Sequence, residues 1–154
     1  MRLGTKARYA VMAMVDIAGQ GRQEPISLTT IAERQGLPLP YLEQLFGRLR
    51  KAGLVSSVRG ASGGYILGVP ADDIRILDII MAVDGPMRAT RCEGEGASGC
   101  SIKGVKCLTH DLWDELGAVV QIFLRRITLA DVCDKRVLGM GRYTLFEPLA
   151  KRAS

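Results

Sequence analysis

Residues 27–67, SLTTIAERQGLPLPYLEQLFGRLRKAGLVSSVRGASGGYIL, decide the fold. Ser27 or Thr29 can cap a short helix that runs through Ile31 and Ala32 to Gln35, and Gly36 stops it. A second helix opens three residues later at Leu39-Pro40, where a missing proline N–H has no partner to lose. Leu42, Leu45, Phe46 and Leu49 recur at the spacing of one buried helical face, and Gly53 closes the element. Two β-prone runs, Leu54–Val58 and Tyr65–Leu67, then flank the glycine-rich Arg59–Gly64. Two helices joined by a tight turn and followed by a hairpin make a winged helix-turn-helix.

Upstream, Tyr9, Met12, Ala13 and Ile17, with Ala10 and Met14, form a wide apolar stripe. They predict a first helix over Lys6–Ala18, capped by Thr5, stopped by Gly19 and followed by a polar loop to Pro25. Downstream, Ile76, Ile79, Ile80 and Val83 predict a helix over Asp72–Val83, ended by Asp84-Gly85-Pro86. Residues 88–108 show no period, and a loop that long needs a function or an external organiser. Leu112, Leu116, Val119, Val120, Phe123 and Leu124, with Trp113 and Ile127, predict a long helix from about Thr109 to Ile127. Thr128-x-x-Asp131 reads as a capping box for a small helix ending near Val132.

The expected class is therefore mainly α with a small β-hairpin wing. A winged helix-turn-helix fills residues 1–84, a ligand loop 85–110, and a long helix with a short one 111–133. A flexible tail occupies 134–154. Aromatic residues at only 5% also favour helix packing over a β-sandwich.

Charge points to the partner. The net charge of +5 belongs wholly to residues 1–60. There Lys or Arg at positions 2, 6, 8, 22, 34, 48, 50, 51 and 59 outweigh Asp16, Glu24, Glu33 and Glu43. A basic half joined to a neutral half is the footprint of phosphate binding, so double-stranded DNA is the expected partner. The longest apolar run, Tyr9–Val15, is too short to span a bilayer, and no cleavable leader is evident. The chain is expected to be cytoplasmic, with no membrane role. No nucleophile–base pair or phosphate loop marks it as an enzyme.

Two groups of residues carry chemistry. On the third helix Tyr41, Glu43, Gln44, Arg48 and Lys51 are predicted to face outward. The N-terminal part of such a helix enters the major groove. Glu43 can accept from a cytosine amino group and Gln44 can bond an adenine edge. Arg48, Arg50 and Lys51 suit phosphates, and Arg59 at the wing tip suits the negative potential of a narrow minor groove. The second group is Cys92-x7-Cys100-x6-Cys107-x2-His110, which uses the only histidine of the chain. The gaps are too long for the usual paired-cysteine zinc site and miss the compact ferredoxin runs. Three thiolates and one imidazole do match the four protein ligands of a 2Fe–2S centre. Cys133, beyond the long helix, reads as a buried or free thiol.

The chain resembles the IscR family of iron–sulfur-cluster regulators. The likeness is carried by Met1-Arg2-Leu3, Arg8-Tyr9-Ala10-Val11, Glu33-Arg34-Gln35-Gly36, Tyr41–Phe46, Arg48–Lys51 and Gly53–Gly60. It continues through Gly63-Gly64-Tyr65, Ala82-Val83-Asp84, Ala89–Cys92 and Lys106–His110, so it spans roughly residues 1–132. The resemblance implies a homodimer joined through crossing C-terminal helices and bound to pseudo-palindromic promoter sites. It also implies a 2Fe–2S cluster on Cys92, Cys100, Cys107 and His110. Cluster occupancy would select among promoters, those of cluster-assembly genes included, with Glu43, Gln44 and Arg59 at base-contacting positions. A nitric-oxide-sensing branch takes an acidic first-helix ligand where this chain has Arg8. The same residues also admit zinc- or thiol-responsive regulation on this fold, or cluster carriage without DNA binding. Two features depart from the family: the cysteine gaps are longer, and Pro40 stands where a small polar residue is common.

Overall fold

Ser27 starts the central motif. Its Oγ accepts from the Thr30 amide at 3.1 Å, and Gly36 ends the same helix at φ +63°, a conformation that glycine adopts without a Cβ clash. The computed structural model describes residues 4–19, 24–87 and 108–137. Its helices are α1 (Thr5–Gly19), α2 (Leu28–Gln35), α3 (Leu39–Lys51), α4 (Ile76–Asp84), α5 (His110–Arg126) and α6 (Leu129–Cys133). Strands β1 (Val55–Val58) and β2 (Gly64–Leu67) form an antiparallel hairpin with Val55 opposite Leu67 and Val58 opposite Gly64.

The core gathers the apolar faces foreseen from periodicity. Met14 of α1, Ile31 of α2, Leu42, Phe46 and Leu49 of α3, and Ile79 and Val83 of α4 are all fully buried. Burying each such side chain contributes roughly 1.5–3 kcal/mol relative to leaving it exposed. Phe46 also meets the Tyr65 ring edge-on at 4.9 Å, which fastens the wing to α3.

Several boundaries differ from the sequence expectation. Thr5 lies inside α1, because the Gly4 carbonyl already accepts from the Arg8 amide at 3.2 Å. Helix α4 begins at Ile76 rather than Asp72. Pro70–Asp73 form a turn, and the backbone after it pairs with the chain that leaves α5. The Leu129 amide donates to the Ile74 carbonyl at 2.8 Å, and the Ile76 amide donates to the Ile127 carbonyl at 3.0 Å. Ile74 is fully buried there, so tertiary pairing overrides its helical periodicity.

The hairpin also gains a partner that the polar loop reading missed. Ile26 and Tyr65 exchange both backbone hydrogen bonds, at 3.0 and 2.8 Å. A Cβ at Gly64 would collide with the Ile26 carbonyl, which explains glycine at that position.

Helix α5 leaves the core. Gly117 is its only buried residue, and Leu124 and Ile127 reach the core cluster. Helix α6 returns to the head, with Leu129 fully buried and its capping box complete between Thr128 and Asp131. No described helix is long and apolar enough to cross a membrane.

Candidate nucleic-acid interface and ligand set

Helix α3 holds most of the expected DNA-facing residues, and its amphipathic pattern explains how. Leu42, Leu45, Phe46 and Leu49 bury one side, so Glu43, Gln44 and Lys51 are exposed on the other. Arg48, Arg50 and Lys51 occupy the last turn, where positive charge also favours the negative end of the helix dipole. Arg59 follows β1 at the exposed tip of the wing, whose turn is closed by the Gly63 amide on the Gly60 carbonyl at 2.9 Å.

Two of the expected contacts sit differently from the sequence picture. Tyr41 does not stand free on the outer face. It is half-buried and meets Tyr9 of α1 edge-on, with ring centroids 5.7 Å apart. Arg48 is exposed, yet its Nη1 donates to the Val83 carbonyl at 2.6 Å. Neither contact joins sequence-neighbouring residues, so periodicity carried no sign of them.

Beside Tyr41 lies an open groove of about 520 Å³, lined by Thr5, Tyr9, Pro38, Pro40, Tyr41 and Gln44. A smaller hollow of about 370 Å³ separates the start of α2 from the wing, lined in part by Ser27, Thr30, Arg34 and Gly63. Arg34 also approaches Asp16 of α1, Nη1 to Oδ2 at 3.6 Å, although no hydrogen bond reaches that oxygen, whose side chain is 8% exposed. The pair holds α1 against the helix-turn-helix.

Of the expected cluster ligands, only His110 lies within the described residues; Cys92, Cys100 and Cys107 lie outside them. His110 is the first residue of α5 and is half-buried. The cysteine-bearing segment thus enters α5 directly at its one imidazole. Its other end is tied to the same helix, because Gln121 Nε2 donates to the Met87 carbonyl at 2.9 Å. At 1.5 Å per residue, about 16 Å of helical rise separates these two anchor points.

The described residues alone contain no group of three or more His, Cys, Asp or Glu suited to a metal ion. Three thiolates with the half-buried imidazole make a soft, four-donor set of the kind an iron–sulfur centre takes.

Cys133 is separated from His110 by the length of α5. It lies in α6, past the far end of α5, roughly 24 Å of helical rise from His110. Its Sγ is half-buried and approaches the Val15 carbonyl at 3.9 Å. Burial, and then the neighbouring Asp134, raise its thiol above the ordinary range.

Known proteins share this fold. Residues 3–135 match the profile of a family described as "Rrf2: Iron-dependent Transcriptional regulator". The chain is 52% identical over 136 residues to "HTH-type transcriptional regulator IscR" of Klebsiella pneumoniae (strain 342), covering 88% of this chain and 82% of that one. Among solved structures, "T. potens IscR" superposes with a TM-score of 0.71 at 38% identity, covering 93% of this chain and 97% of the other. The Bacillus subtilis global cysteine regulator CymR does so with a TM-score of 0.72 at 34% identity, covering 88% and 98%.

Proposed function

This chain belongs to the Rrf2 family and is a DNA-binding transcription regulator, and we propose that a 2Fe–2S cluster held by Cys92, Cys100, Cys107 and His110 sets its promoter choice. The observation that carries the cluster reading is the position of His110. The only imidazole of the chain opens α5 immediately after the three-cysteine segment, and the entry to that segment is tied to α5 through Met87 and Gln121.

When bound, the group supplies an iron- and oxygen-sensitive centre. The protein's part is to hold it and to read DNA. The head offers Glu43 and Gln44 to base edges, Lys51 to phosphate and Arg59 to the minor groove. Tyr41 sits at the margin of this face and supports its register. Promoters of cluster-assembly genes are the expected targets.

We further assign the regulator as a homodimer on pseudo-palindromic sites, with half-sites one or more helical turns of ~34 Å apart. The exposed stripe on α5 supports this. Leu112, Leu116, Val119 and Phe123 recur with the 4-3-4 spacing of a coiled-coil seam and remain 39 to 61% exposed.

The deciding test is an ultraviolet–visible spectrum with iron and sulfide analysis on protein purified without oxygen, beside Cys92→Ala and His110→Ala. About two irons per chain and thiolate-to-iron bands, lost in both variants, are expected. A colourless protein with stoichiometric zinc would replace the cluster by a zinc- or thiol-based signal and leave DNA binding in place.

A further inference from the structure

The tip of α3 is built without the donors that helix starts normally offer. Pro38 is its N-cap and Pro40 its second residue, so neither carries an N–H. The Tyr41 and Leu42 amides both donate to the Pro38 carbonyl at 3.1 Å. A helix start usually presents several unpaired N–H groups and so attracts phosphate. Here the first turn leaves at most the Leu39 amide for an outside acceptor.

What the tip presents instead is apolar and stiff. Pro38 and Pro40 are exposed and have fixed φ, and they wall the groove shared with Tyr9, Tyr41 and Gln44. Tyr41 is held by its edge-on contact with Tyr9. Pro40 and Gln44 are four residues apart, hence on one face of the helix. The ~6 Å of rise between them corresponds to one or two base-pair steps of about 3.4 Å.

In the major groove, the C5 methyl of thymine is the apolar feature among hydrogen-bonding base edges. A donor-free, rigid apolar tip beside an amide side chain matches that feature and suits phosphate poorly. We propose that Pro40, backed by Pro38 and Tyr41, reads the C5 methyl of a thymine one or two base steps from the base that Gln44 contacts. This inference rests on the DNA-reading role of α3 and adds a specificity determinant to it. It makes the first turn of α3 a discriminator of bases, while affinity comes from Arg50 and Lys51 of its last turn and from the wing.

The test uses the full-length protein and duplexes enriched from a random pool, with affinity read by fluorescence anisotropy. Each thymine of a half-site is then replaced in turn by deoxyuridine, which removes the methyl and keeps every base pair. One position per half-site is expected to lose about fourfold in affinity, the equivalent of one methylene at ~0.8 kcal/mol. In Pro40→Ser that loss should vanish, with helical content and melting temperature close to the parent. The proposal is overturned if no thymine shows the methyl effect, or if Pro40→Ser keeps the same penalty. A pool that enriches no sequence would instead remove the reading role of α3, and this proposal with it; enrichment without methyl sensitivity removes this proposal alone.

Discussion

The Arg48 guanidinium donates through Nη1 to the carbonyl oxygen of Val83 at 2.6 Å, joining α3 to the last turn of α4. That carbonyl is among those a helix end leaves without an internal partner, so a charged donor there is well used. Four residues on, the Met87 carbonyl takes the Gln121 amide of α5. Residues 83–87 therefore join α3 to α5 through two side-chain hydrogen bonds, at the point where the chain departs for its cysteines.

Arg48 should consequently behave as a tie between helices. In Arg48→Met, the slope of log affinity against log salt should match the parent, whereas Lys51→Met should flatten it by about 0.9 per lost phosphate contact. Loss of a charge-assisted hydrogen bond should also lower unfolding free energy by about 1.5–3 kcal/mol. Anisotropy titrations across a salt series decide the matter, and a flattened slope in Arg48→Met would return the residue to the phosphates.

Glu43 is exposed on the face that carries Gln44, and a carboxylate close to phosphate is unfavourable unless it finds a cytosine amino group. Glu43→Ala should therefore relax sequence preference, narrowing the affinity gap between matched and mismatched sites by roughly 1–3 kcal/mol. Binding measured over a panel of single-base variants checks this. An unchanged preference would remove Glu43 from the reading set.

On α5, a single carboxylate placed in the exposed Leu112–Leu116–Val119–Phe123 seam should separate the subunits. Leu116→Asp is expected to sediment as a monomer and to bind an intact two-half-site duplex far more weakly. Ala118→Asp, an equally exposed α5 position two residues from Leu116 and therefore off that stripe, should do neither. A Leu116→Asp dimer would place the interface elsewhere.

The cap of α6 gives a pH signature. The Thr128 backbone amide, then the Arg136 guanidinium at 2.7 Å, and then the Thr128 hydroxyl lower the Asp131 carboxyl from 3.8 to about 2. Because the folded value lies below the unfolded one, the ionised form favours the fold. Its contribution is complete above about pH 4 and is lost as pH falls through about 2. Asp131→Asn should therefore melt below the parent at pH 5, with the gap closing toward pH 2. Thr128→Ala should lose about 1 kcal/mol of stability through the same cap.

Cys133 should prove dispensable for iron. Its thiol is raised by burial and sits on α6 against Val15, away from His110. Cys133→Ser should retain the iron content of the parent. Alkylation of Cys133 in the native protein at neutral pH should be slow, and should accelerate on unfolding. Loss of iron in the serine variant would make it a ligand.

Much of this molecule is written locally. Ser27, Gly36 and Gly53 mark the helix ends of the central motif, and the leucines of α3 mark its buried side, because capping and 3.6-residue periodicity depend on neighbours in the chain. The Thr128–Asp131 box was readable for the same reason. The ligand set Cys92, Cys100, Cys107 and His110 is an expectation from spacing and family resemblance, and its three cysteines lie outside the described residues. Tertiary structure alone decided that Ile74 leaves its helix to pair with Leu129, that Ile26 joins the wing, and that Arg48 turns to Val83. Each of those contacts joins parts of the chain far apart in sequence. It is selected by burial and by the need to pair backbone groups within the packed head, and neither requirement leaves a periodic trace in the residues themselves.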